Sequence, residues 1–312
     1  MMILTPEDWL ERRTLQPTAQ EARGLPALLR DSGLTVDLVL LTRDAATTLG
    51  RHLLTLRHGW PGNECPFGRI LVTDLGSSDT TLEIAEQALA ETIPPDAPQA
   101  ASLGPAAHGD GLVRALTHSR ADILLVVPAR LVRLDLDAVA ALVAAFCRLP
   151  ALQFAQGYQS ADGSDLSRLL ARPLLSALLP ELSVLADPAC PLLALRRTSF
   201  LTVPIARTCG YQPALAVEAW RQGGLDALAQ VRIPPLEWGE QGAGDDAECG
   251  FRTGLALLEA LRRARRLSVP QELGHLSTSL VDSPSGGLLA RTHLDIFPWR
   301  DPPAPTPRTT VV

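Results

Sequence analysis

Three short apolar runs, each stopped by a polar or glycine-bearing turn, constrain the fold of this chain more than any other feature. Residues 34–41, 69–73 and 123–127 are rich in Leu, Val and Ile and have strand length rather than helix length. Residues 47–56, 80–90, 112–118 and 135–149 carry apolar side chains at helical spacing. Strands alternating with helices at this interval predict an α/β fold with a mainly parallel, doubly wound sheet. Ligands of such sheets bind beyond the carboxyl ends of the strands, where residues 42–44, 74–79 and 128–130 fall.

The flanks read differently. Residues 5–13 predict a short helix with Thr5 at its N-cap, Pro6 in its first turn and acidic Glu7 and Asp8 next. Residues 92–110 form a Pro- and Ala-rich loop, with a poorly patterned strand near residues 100–103. From about residue 150 the pattern changes to longer helices and connecting loops. The expected division is an N-terminal helical arm (1–33), a main domain (34–240), a C-terminal helical segment (241–282) and a Pro-rich flexible tail (283–312).

Composition narrows the function. The 312 residues, 46% hydrophobic and 20% charged, fit a globular protein able to bury a large core. There is no lysine, which excludes Schiff-base chemistry on a side-chain amine. A net charge of −6 gives no general attraction to nucleic acid. The basic cluster Arg262, Arg263, Arg265 and Arg266 reads as a solvated helix face. Five widely spaced cysteines show neither a zinc nor a disulfide framework, and no apolar run approaches the roughly 20 residues of a membrane span. A cytoplasmic protein with no membrane association is the expectation.

Several segments carry a family resemblance. Residues 72–81 contain Asp74-Leu75-Gly76-Ser77-Ser78-Asp79, which looks like the Asp-x-Gly-Ser-x-Asp turn of GT-A glycosyltransferases. A carboxylate there accepts hydrogen bonds from a nucleotide, and Gly76 permits the tight turn. Ala171-Arg172-Pro173-Leu174-Leu175 with Pro180-Glu181-Leu182, then Arg196-Arg197 and Gly224-Leu225-Asp226-Ala227-Leu228-Ala229-Gln230-Val231, resembles the glucosyl-3-phosphoglycerate synthases. Trp9-Leu10 and Arg12-Arg13 fit that family's N-terminal arm. The resemblance implies a GT-A fold, a UDP- or GDP-linked sugar donor, Mg²⁺ or Mn²⁺, a phosphoglycerate acceptor site and a homodimer. Asp74, Asp79, Gly76 and Asp44 are its candidate nucleotide-binding residues, and Ser167 and Arg172 its candidate acceptor-site residues.

The chain departs from the family where the chemistry should lie. The family's "VDADL" holds a divalent cation against the donor diphosphate, but residues 127–131 read Val-Pro-Ala-Arg-Leu. The third metal ligand, a His, aligns with Trp238. The nucleotide-contacting Glu-Glu becomes Ala45-Ala46, and the donor-facing Gly-Lys-Gly becomes Gly109-Asp110-Gly111, a charge reversal expected to oppose anions. The acceptor loop's Arg becomes Asp165, "GEYA" becomes residues 191–194, and the acidic residue of "GYGVEIG" becomes Ala214. Scaffold positions match and ligand-touching positions do not. The leading reading is therefore a catalytically impaired or non-catalytic relative with no cofactor or catalytic residue assigned, acting through binding, as a partner of an active paralogue for instance. The alternative is an active, metal-independent glycosyltransferase with Arg130 and Arg43 at the diphosphate.

Overall fold

Runs of Val, Ile and Leu without polar alternation are expected of strands covered on both faces, and the three apolar runs behave this way. The computed structural model describes residues 6–18, 20–95, 108–160, 163–239, 245–267, 276–282, 288–294 and 299–300. The N-terminal elements are α1 (Pro6–Arg13), β1 (Thr14–Leu15), α2 (Glu21–Ser32), β2 (Val36–Thr42), α3 (Ala46–His58), β3 (Arg69–Asp74), α4 (Thr81–Gln87) and β4 (Glu91–Ile93). The middle supplies α5 (His108–His118), β5 (Ile123–Pro128), α6 (Leu136–Arg148), β6 (Phe154–Tyr158), α7 (Arg172–Leu178), β7 (Leu193–Arg196), α8 (Arg197–Phe200) and β8 (Ile205–Ala206). The remainder is α9 (Tyr211–Gly223), β9 (Leu228–Arg232), α10 (Asp245–Arg263), β10 (Leu276–Asp282), β11 (Leu288–Leu294) and β12 (Trp299–Arg300).

Eight strands make one sheet in the order β1-β9-β6-β7-β5-β2-β3-β4. All neighbours are parallel except β7, which runs antiparallel to both β5 and β6. Side chains alternate cleanly across it. Leu38, Leu40, Val72, Leu125 and Val127 face a core shared with α2, α3 and α6. Val39, Leu41, Leu71, Leu124 and Val126 face a second core shared with α5, α9 and α10. Each such leucine, fully removed from water, contributes about 2 kcal/mol before chain entropy is set against it. Helix α6 lies close to the sheet because Ala138, Ala140, Ala141, Ala144 and Ala145 keep its buried face small.

Three expectations are corrected. Beyond residue 150 the chain does not simply turn helical: β6, β7 and β9 supply three of the eight strands of the main sheet. The arm before residue 33 supplies an edge strand, β1, parallel to β9. Helix α5 begins at His108 rather than Leu112. Thr5 and residues 100–103 lie outside the described residues; the edge strand after α4 is β4. In the segments expected to be a helical extension and a flexible tail, β10 pairs with β11 and β12 pairs with β8. Of the basic cluster, Arg262 and Arg263 close α10 and pair with Glu259 and Glu218, while Arg266, just past the helix, pairs with Glu181. No helix among the described residues is long and apolar enough to cross a membrane.

Candidate functional site

Register decides where the loops meet. Thr42 pairs with Asp74 across β2 and β3, and Leu41 pairs with Pro128 across β2 and β5. Three parallel strands therefore end level, and the loops that follow them share one edge of the sheet. Backbone bonds fix the exits: Leu75 N–H donates to Thr42 O at 2.8 Å and Ala129 N–H to Leu41 O at 3.0 Å.

The loop after β3 is folded by its own carboxylates. Asp74 is buried, and its carboxylate accepts from Gly76 N–H at 2.9 Å, Ser77 N–H at 3.2 Å and Ser77 Oγ at 2.6 Å. Gly76 sits at φ 93°, a backbone conformation that glycine adopts without strain. Asp79 accepts from Ala46 N–H at 3.1 Å and Thr81 N–H at 3.0 Å, and also from the Thr81 hydroxyl. It thus caps the starts of both α3 and α4, where helix dipoles favour negative charge. Desolvation opposes its ionisation, but the Thr81 hydroxyl and the N–H groups of Ala46 and Thr81 outweigh it and hold the carboxyl below the usual range.

Asp44 joins the loops after β2 and β3. Its Oδ1 accepts from Ser78 N–H at 2.7 Å and Ser78 Oγ at 3.1 Å, and its own N–H donates to Ser77 Oγ at 3.1 Å. Arg43 stays near it, with Nε 3.8 Å from Asp44 Oδ2. The carboxylates expected to meet a nucleotide are thus also the ones that shape the loops around it.

The loop after β5 is held from two sides. From α3, Thr48 Oγ donates to Ala129 O at 2.5 Å and His52 Nε2 donates to Leu131 O at 2.5 Å. Burial lowers the His52 pKa, with Arg51 acting the same way and the Leu131 bond opposing, so the neutral Nε2–H tautomer fits this contact. From the other side, Val132 N–H donates to Glu237 O and Gly239 N–H to Arg130 O, both at 2.8 Å, around an antiparallel bridge between Leu131 and Trp238. Pro128, Arg130 and Trp238 are therefore spatial neighbours. Among the described residues the Arg130 side chain makes no hydrogen bond or ion pair, and Trp238 is 42% exposed. None of these three side chains offers a ligand atom to a hard cation. Among the described residues no three His, Cys, Asp or Glu side chains converge as a metal cluster.

Asp110 corrects an electrostatic expectation. It is buried between two guanidinium groups, with Arg114 Nε and Arg207 Nε each 3.2 Å from its carboxylate, so it does not present an uncompensated negative charge. Arg114 also donates to the carbonyls of Asp74 at 2.7 Å, Ile93 at 3.1 Å and Pro94 at 2.6 Å, tying α5 to the ends of β3 and β4. Sequence reading missed both arginines. The four-residue spacing of Asp110 and Arg114 was a usable signal; Arg207 is distant in sequence and gave none.

The expected acceptor-site residues lie on another segment. Ser167 is fully buried; its Oγ donates to Asp187 Oδ1 at 2.5 Å and accepts from Ala189 N–H at 2.9 Å. Arg172, half-buried, opens α7. Asp165 is exposed and paired with Arg168 at 2.9 Å.

The matched scaffold motifs touch one another. Trp9 Nε1 donates to Leu225 O at 2.9 Å, and Arg13 Nη2 lies 2.8 Å from Asp226 Oδ1, so the N-terminal arm docks on the Gly224–Ala227 turn. A mainly parallel sheet wound by helices on both faces, with loops gathered beyond β2, β3 and β5, defines a GT-A glycosyltransferase fold. Solved structures that share it include mannosyl-3-phosphoglycerate synthase from Rubrobacter xylanophilus, with a TM-score of 0.80, 22% identity and coverage of 95% of this chain and 98% of that one, and glucosyl-3-phosphoglycerate synthase from Mycobacterium tuberculosis in complex with Mn²⁺, UDP and glucosyl-3-phosphoglycerate, with a TM-score of 0.75, 22% identity and coverage of 93% and 98%. Within that class the chain resembles the glucosyl-3-phosphoglycerate synthases in sequence. It is 29% identical over 297 residues to the enzyme of that name from Mycolicibacterium paratuberculosis, covering 90% of this chain and 86% of the relative. No family profile matches the chain.

Proposed function

We propose that this chain binds a nucleotide diphosphate or nucleotide sugar at the level ends of β2, β3 and β5, and that it is catalytically impaired or non-catalytic. The observation that carries the reading is the spatial grouping of Pro128, Arg130 and Trp238 at the mouth of β5. These are the positions that match the metal-binding residues of the family it resembles, and their side chains do not fit Mg²⁺ or Mn²⁺. Losing a cation that offsets leaving-group charge costs several kcal/mol of transition-state stabilisation, on the order of 10³-fold in rate. The scaffold that shapes the nucleotide loops, from Asp44 through Asp74 to Asp79, is meanwhile intact.

One observation favours the second reading, metal-independent transfer to a small polar or acidic acceptor. Among the described residues the half-exposed Arg130 guanidinium makes no hydrogen bond or ion pair at the strand end, and a guanidinium suits phosphate oxygens. Under either reading the protein works in the cytoplasm, alone, as a homodimer or beside an active paralogue.

Turnover and titration separate the readings. Purified protein is incubated with UDP-glucose and 3-phosphoglycerate, with and without Mn²⁺, while UDP affinity is measured by calorimetry. UDP binding without turnover supports the first reading, and metal-independent turnover lost in Arg130→Ala supports the second. Turnover that requires Mn²⁺ would sink both.

A further inference from the structure

Cys209 and Cys249 lie 40 positions apart in the sequence, yet their thiols are hydrogen-bonded to each other in the fold. Cys209 is buried in the turn between β8 and α9, whereas Cys249, on α10, is half-buried. A close backbone approach brings them together. Gly210 adopts φ 90° at the start of α9, and a Cβ there would lie 2.3 Å from Thr253 Cα, so only glycine lets α10 come this near. Thr253 Oγ donates to Cys249 O at 2.7 Å and fixes that turn of the helix. Among the described residues Cys65, Cys147 and Cys190 have no such thiol contact with another cysteine.

The turn that carries Cys209 also seats the segment matching the family's donor-facing loop. Asp110 N–H donates to Arg207 O at 2.8 Å, Gly109 N–H to Thr208 O at 3.3 Å, and Arg207 Nε to Asp110 Oδ1 at 3.2 Å. A covalent bond between Cys209 and Cys249 would therefore lock α10 to this turn.

We propose that Cys209 and Cys249 are a modification site: a dithiol that a peroxide converts reversibly into a disulfide latch. The half-buried Cys249 thiolate attacks hydrogen peroxide, an S–O bond forms, the O–O bond breaks, and one water leaves after protonation. The Cys209 thiol then attacks the Cys249 sulfenic acid, the S–S bond forms, the S–O bond breaks, and a second water leaves. Both thiols are oxidised and one peroxide is reduced. The hydrogen bond with Cys249, and then burial, push the Cys209 thiol well above its usual pKa, which agrees with Cys249 reacting first. The inference stands apart from nucleotide binding, and its test uses no nucleotide.

The full chain is treated with hydrogen peroxide, residual thiols are alkylated, and peptides are read by mass spectrometry. The expected product has a Cys209–Cys249 cross-link, alkylation at the other three of the five cysteines, and full reversal by dithiothreitol. The melting temperature of the oxidised chain rises on the order of 5 °C, because the link closes a long loop of the unfolded chain. Cys249→Ser abolishes the cross-link and the rise. Cys209→Ser leaves a Cys249 sulfenic acid that dimedone traps, and if that buried variant misfolds, Cys249→Ser with the double control Cys65→Ser, Cys147→Ser carries the test. Alkylation of all five thiols after oxidation, a cross-link to another cysteine, or a fall in melting temperature would overturn the latch.

Discussion

Gly239 donates its backbone N–H to the carbonyl of Arg130 at 2.8 Å, and this bond sets Trp238 beside the end of β5. On the proposed reading, the Arg130 guanidinium stands where a cation would otherwise meet the diphosphate. If that guanidinium meets the diphosphate, Arg130→Ala should weaken UDP binding about 10- to 100-fold, the equivalent of about 1.5–3 kcal/mol for a charge-assisted hydrogen bond. Arg130→Lys should recover part of the charge but not the fork geometry. Calorimetric titration reads the effect; equal UDP affinity for Arg130→Ala and the unaltered chain would remove the guanidinium from the site.

The same neighbourhood makes a restoration experiment meaningful. Pro128→Asp, Arg130→Asp and Trp238→His together would place two carboxylates and an imidazole on one strand end and the segment bridged to it. The triple variant should bind UDP at least about tenfold more tightly with Mn²⁺ than without, as a hard cation bridges carboxylate and phosphate oxygens. The unaltered chain should show no such difference. Tightening by Mn²⁺ in the unaltered chain would mean that other residues hold the ion.

The three strands that frame these loops are legible in the sequence, and the other five of the eight are not. Strands β2, β3 and β5 are unbroken apolar runs because helices cover both faces. In β6 and β9 the runs are interrupted by Gln156 and Gln230, which look like surface residues in sequence. Both are buried because their amides serve local backbone: Gln156 Nε2 donates to Pro188 O and Cys190 O at 2.9 Å, and Gln230 Oε1 accepts from Ala186 N–H at 2.9 Å. The charge at Asp110 was misjudged for a related reason: Arg207, one of the two groups that compensate it, arrives only through tertiary folding. The motif carboxylates stand out in the sequence as nucleotide contacts, whereas the work they do in the fold, shaping the turn and capping helices, is visible only in three dimensions.

Asp122 gives the stability a pH dependence with a definite sign. Its Oδ2 accepts from Thr35 N–H at 2.9 Å and Thr35 Oγ at 2.8 Å, tying the starts of β5 and β2 together. The Thr35 N–H is the largest influence, desolvation opposes it, and the net effect holds the carboxyl below its usual pKa. A depressed folded-state pKa means that the unfolded chain takes up the proton first. The stabilisation is therefore fully present above about pH 4 and is lost as pH falls through the lower, folded-state value. The urea midpoint should drop as pH falls below about 4, and Asp122→Asn should be less stable at pH 7 with a shallower drop. An identical pH profile for the variant would remove Asp122 from the acid response.

Two glycines near the site should separate steric from conformational cost. At Gly109 a Cβ would lie 1.7 Å from Ala206 O and 3.0 Å from Arg207 C, and backbone atoms have no rotamer with which to yield. Gly109→Ala must push α5 off the turn at residues 206–208, with an overpacking cost of about 3 kcal/mol or more. Gly76 has nothing within 4 Å of its Cβ position, so Gly76→Ala meets open space and only the strain of φ 93°, on the order of 1–2 kcal/mol. Urea unfolding should therefore rank Gly109→Ala clearly below Gly76→Ala. The opposite order would mean that α5 and the turn can separate cheaply, and the seat of the Gly109-Asp110-Gly111 segment would then be a movable one.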